Sequence, residues 1–65
     1  MIDRKALKAE LARRGKSQKE MARLLGMSEK TFISRMRSGD FWLHEIERMM
    51  EVLEISDPMP IFFHK

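Results

Sequence analysis

LLGMSEKTF, residues 24–32, is the stretch where the chain interrupts itself. Apolar residues at helical spacing run into Gly26, and Ser28, two residues on, carries the side chain of a fresh helix cap. Gly26 suits the stop, because only glycine takes a left-handed backbone without a steric penalty. A break this short sets two helices against each other at a steep angle.

Working outward, the helix before the break starts at Ser17. SQKE, residues 17–20, has the spacing of a capping box, with Met21, Ala22 and Leu25 as the inner face behind it. The helix after the break is expected over roughly Glu29 to Arg37, closed by Ser38 and Gly39, with Phe32 and Met36 inward. Gln18, Ala22 and Gly26 fall at four-residue spacing. Ala22 is small enough for the next helix to cross close above it, and Gly26 makes the turn. This is the layout of a helix-turn-helix, whose second helix is presented to the major groove.

Upstream, a first helix is expected from about Asp3, as cap, to Arg14, with Leu7 and Leu11 facing the core and Gly15 just past its end. Downstream, a fourth helix is expected from Trp42 or Leu43 to about Leu53. Its apolar positions are 43, 46, 50 and 53, and Glu45, Glu47, Glu51 and Glu54 point outward. Pro58 and Pro60 in SDPMP are read as breaking it. The remaining IFFHK is too short for an element of its own and too apolar for water. It either folds back over helices one and four, or packs or pairs as a short strand against a second copy.

With 65 residues and no Cys, the chain is one small domain without disulfides or thiolate metal sites. It has no apolar run long enough for a membrane span or a signal peptide, and is expected to be cytoplasmic. The net charge of +3 is unevenly spread. Residues 1–40 carry eleven Lys and Arg against five Asp and Glu; residues 41–65 carry two against five. A basic front with an acidic rear suits a polyanion on one side, although solvated helix faces give the same count.

These segments together, SQKEMARLLGMSEKTFISRMRSG (17–39), FWLHEIERMMEVLEI (41–55) and IFF (61–63), resemble the small Cro/repressor type of phage and bacterial helix-turn-helix regulators. The resemblance spans residues 5–63 and is closest to stand-alone phage Cro-like proteins. It implies an all-α, compact four- to five-helix, lambda-repressor-like domain over residues 1–65, with the helix-turn-helix at 17–37 and a short apolar tail at 56–65. It also implies transcriptional regulation, commonly repression, by binding operator DNA as a homodimer, without catalysis or cofactor. Trp42 departs from the pattern: the family usually has a small capping hydroxyl there, which leaves the start of helix four open.

With Phe32 and Met36 inside, the opposite face of helix three carries Lys30, Ile33, Ser34 and Arg37, bordered by Glu29. Lys30 can donate to guanine, Ser34 can contact several bases, and Ile33 can pack on a thymine methyl. Glu29 can accept from cytosine or merely complement the helix dipole. Positions 29, 30 and 34 match base-reading positions of the resembling family, and Gln18 matches its phosphate grip. Lys16, Lys19, Thr31, Arg35 and Arg37 are further phosphate candidates, and Ile61, Phe62 and Phe63 are candidates for the dimer interface. Trp42 is expected in the core, as large aromatics in small domains usually are.

Other classes of function are less well served. HEIER, residues 44–48, starts like a zinc-protease motif, but Arg48 replaces the second His, and His44 and His64 lie on different elements. No phosphate loop, nucleophile or carboxylate pair suggests an enzyme or a small-molecule substrate. The stronger rival is a helix-turn-helix that binds a protein, as an anti-repressor or antitoxin does. Such a module has no need of Lys30 and Arg37 on its presented face, although an apolar tail would serve it equally well.

Overall fold

The computed structural model describes residues 2–63, and all the regular structure among them is helical. The order is α1 (Arg4–Arg13), α2 (Gln18–Leu24), α3 (Glu29–Ser38), α4 (Leu43–Leu53) and α5 (Met59–Phe62), with no strand among the described residues. His64 and the end of the expected tail lie outside them. No helix among the described residues is long and apolar enough to cross a membrane.

Each of the first three helices starts on the expected cap. The Asp3 carboxylate accepts from the Ala6 amide at 3.0 Å, Ser17 Oγ from the Glu20 amide at 3.0 Å, and Ser28 Oγ from the Thr31 amide at 3.1 Å. At Ser17 the Glu20 carboxylate reaches the Lys16 ammonium, 3.6 Å away. The α2–α3 break closes as expected too. Gly26 sits at φ +77°, which lets its amide donate to Arg23 O and the Met27 amide to Ala22 O, both at 3.0 Å. The Ala22 and Arg23 carbonyls near the end of α2 are thereby satisfied inside the turn.

Leu7 and Leu11 of α1, Met21 and Ala22 of α2, and Phe32 and Met36 of α3 are all buried. They meet Ile46, Met49 and Leu53 of α4, and Ile61 and Phe62 of α5, in one apolar cluster. Leu25 packs against its edge. The closest helix packing is α2 on α3, and α1 lies against α5.

The second half of the chain corrects several expectations. Helix α4 turns Met49 into the core and leaves Leu43 exposed. Leu43 lies about a quarter turn round the helix from the Ile46, Met49 and Leu53 row, at a period of 3.6 residues. Glu45, expected in solvent, is buried, and Trp42, expected in the core, is 64% exposed. The end of α4 is not set by the prolines. It closes with Glu54 at φ 56°, and the Ile55 amide donates to Met50 O at 2.9 Å. Proline is tolerated in a first helical turn. Accordingly Pro58 and Pro60 open α5, where Asp57 Oδ1 accepts from the Met59 amide at 3.1 Å.

The tail therefore does form an element, and it folds back on its own chain. The Asp3 amide donates to Ile61 O at 2.7 Å, and Ile2 is buried beside this junction. Ile61 and Phe62, expected at a dimer interface, belong to the monomer's core; of the three tail residues only Phe63 is exposed. Truncating a core phenylalanine removes buried area and leaves a cavity, at a cost of about 3–5 kcal/mol. Phe62→Ala should accordingly abolish the cooperative urea transition, or shift it far down, equally at low and high protein concentration. Stability that instead depended on concentration would return Phe62 to an interface.

Candidate nucleic-acid interface

Helix α3 is held along one side and free along the other. Its N-terminus is fixed by Ser28, whose hydroxyl also donates to Thr31 Oγ1 at 2.9 Å. Phe32 is fully buried, and its ring lies 5.7 Å from that of Phe41 at a 54° tilt, a favoured aromatic geometry. Met36, one turn later, is buried as well. Gly39 closes the helix at φ +79° with its amide donating to Arg35 O at 2.7 Å.

With that side inward, Glu29, Lys30, Ile33, Ser34 and Arg37 line one open concavity on the outer side of α3. Glu29, Lys30, Ser34 and Arg37 are exposed and Ile33 is half-buried. All four residues expected to meet bases are therefore brought together, with Arg37 beside them. Lys30 and Arg37 have no carboxylate partner within 4.0 Å among the described residues, so their charges face solvent. Ile33 has no core to enter, which leaves it an apolar contact point in a polar groove.

The expected phosphate contacts divide. Lys19 is exposed without an ion pair among the described residues, and Gln18 is half-buried as the first residue of α2. Thr31 is exposed, but its hydroxyl oxygen already accepts from Ser28. Lys16 is partly engaged by Glu20. Arg35 is the clear exception: its Nη1 donates to Glu45 Oε1 at 2.7 Å, and the pair is partly buried.

Glu45 is the residue that sequence reasoning missed. Its carboxylate also accepts from the Trp42 amide at 2.9 Å. Trp42 caps α4 without an acceptor on its side chain, so this bond from the third residue of the helix satisfies an N–H that would otherwise be orphaned. The signal was present in WLHE, residues 42–45, which has glutamate at the capping-box spacing but lacks the hydroxyl that usually announces one.

Neither a protein-family model, nor a curated protein, nor a solved structure matches the chain significantly.

Trp42 stands just past α3 on a rim shared with Arg35, Ser38, Asp40 and Phe41. Exposed substitutions of this kind usually change stability by no more than about 0.5 kcal/mol. Trp42→Ala should therefore leave the thermal midpoint nearly unchanged, and the wild-type indole should emit at the long wavelength of a largely solvated tryptophan and be readily quenched by acrylamide. A blue-shifted, protected emission would place it in the core after all.

Proposed function

We propose that this chain is a sequence-specific double-stranded DNA-binding regulator of the Cro-like kind, with α3 in the major groove of an operator half-site. The observation that carries the reading is the outer face of α3, where Glu29, Lys30, Ile33, Ser34 and Arg37 share one open groove while Phe32 and Met36 anchor the other side. Hydrogen-bonding groups with one apolar side chain among them suit base edges and a thymine methyl. Lys19 and Arg37, with Gln18 at the start of α2, supply donors for phosphates. One helix reads only a few base pairs, so two copies act on a two-fold symmetric site. Action as a cytoplasmic repressor belongs to the same proposal. The exposed Trp42 and Leu43, adjacent apolar side chains, favour the second reading, a helix-turn-helix that docks on a protein.

Selection of duplexes from a randomised pool at near-physiological salt decides between them. A two-fold symmetric consensus is expected. Lys30→Ala and Ile33→Ala should each relax the preference at one position per half-site, by about 1–3 kcal/mol for a lost base contact. Binding without consensus that vanishes as salt rises would reduce the DNA reading to generic phosphate attraction and favour the protein partner.

Phosphate contacts have a different signature. Lys19→Ala should weaken binding to all duplexes alike and make the slope of log K against log salt shallower by about one unit. Weakening confined to the selected site would make Lys19 a base reader.

A further inference from the structure

Glu45 is the one buried charged residue among the described residues, at 6% exposure. A single oxygen, Oε1, accepts from Arg35 Nη1 at 2.7 Å and from the Trp42 amide at 2.9 Å. One atom thus joins the second half of α3, the connecting loop and the first turn of α4. Arg35 lies on a flank of α3 beside the buried Phe32–Met36 side, about 140–160° round the helix from Lys30 and Arg37 and so turned away from their groove.

What holds that flank controls the rotation of α3 about its own axis. The backbones of α3 and α4 approach each other at few points. The Phe32–Phe41 contact is apolar and tolerates sliding, whereas a short charged hydrogen bond is directional. A rotation of about 10° moves side-chain tips about 6 Å from a helix axis by about 1 Å, more than a functional constellation tolerates.

We propose that Arg35 and Glu45 are positioning residues of the DNA interface: their ion pair fixes the rotation of α3 so that Lys30, Ile33 and Ser34 meet base edges together. Arg35 serves in this way rather than as a phosphate ligand. The inference rests on the DNA-binding reading above.

The test compares binding to the duplex selected by the wild-type protein with binding to an unrelated duplex, across a salt series. The proteins are wild type, Arg35→Met, Glu45→Gln and the double variant, each checked for helical content by circular dichroism. Glu45→Gln keeps an oxygen for the Trp42 amide, and Arg35→Met keeps the apolar stem. Each single variant should lower the ratio of specific to non-specific affinity about tenfold. The double variant should lower it no further, as expected of residues acting as one unit. The salt slope should stay at the wild-type value.

Unchanged discrimination in Glu45→Gln would overturn the inference. So would a salt slope about one unit shallower in Arg35→Met alone, which would make Arg35 a phosphate ligand. If Arg35→Met does not fold, Glu45→Gln decides alone. If the wild-type protein selects no site, the DNA reading falls and this inference with it. A selected site that both variants read as well as wild type sinks the inference only.

Discussion

At Gly26 the backbone passes through φ +77°, and the exposed face of α3 depends on that one torsion. A side chain there would cost about 1–2 kcal/mol of left-handed strain. With glycine, the Arg23 and Ala22 carbonyls accept from the Gly26 and Met27 amides, so these two carbonyls near the end of α2 are satisfied within the turn. Ser28 can then cap α3 at once. Because the connection is so short, α3 has little freedom to choose another direction, and Ala22 beneath it lets the two helices lie close. Phe32 and Met36 must point into the core, so Lys30, Ile33, Ser34 and Arg37 must point out of it.

The turn fixes where α3 begins but leaves its far half to other contacts. There the chain uses a charge rather than more apolar surface. A buried carboxylate is tolerable only when its charge is matched, and Glu45 is matched at Oε1 by the Arg35 guanidinium and the Trp42 amide. The same carboxylate satisfies the Trp42 amide at the head of α4, so the start of α4 and the flank of α3 are set by one group. Exposed pairs such as Arg14–Glu54 and Arg48–Glu51 place no comparable constraint on the fold.

The first forty residues are legible in the sequence because each boundary has a local chemical cause. Asp3, Ser17 and Ser28 carry cap oxygens, Gly26 and Gly39 carry the left-handed closures, and the inner faces keep helical spacing. The outer face of α3 follows from these by geometry, so its candidate site was legible as well. After Phe41 the bounds of α4, Leu43–Leu53, were legible too, with Ile46 and Leu53 inward, but the rest of its packing was not, because those determinants are tertiary. Nothing local says that Leu43 falls outside the core row while Met49 falls inside it, and a glutamate reads as solvated until its arginine is placed beside it. The paired prolines read as a stop, yet proline opens a first helical turn as readily as it ends a previous one, and α5 uses it so.

The placement of the tail changes what a second copy could hold on to. A domain of 65 residues buries a smaller share of its surface than a larger one and needs every large apolar side chain it can enclose. Ile61 and Phe62 go to that use, which leaves Phe63, Met59, Trp42 and Leu43 as the exposed large apolar residues among the described residues. A stable soluble dimer typically buries about 800 Å² per partner. That is a substantial fraction of the 4543 Å² this chain exposes, and four side chains cover little of it. On the proposed reading, the duplex itself supplies what the protein surface lacks. Two copies held on adjacent half-sites meet at a high effective concentration, so a contact too small to hold them together in free solution suffices once both are bound. On that reading, cooperative occupancy of a symmetric operator needs no large apolar interface between the two copies, and Ile61 and Phe62 are left to the core.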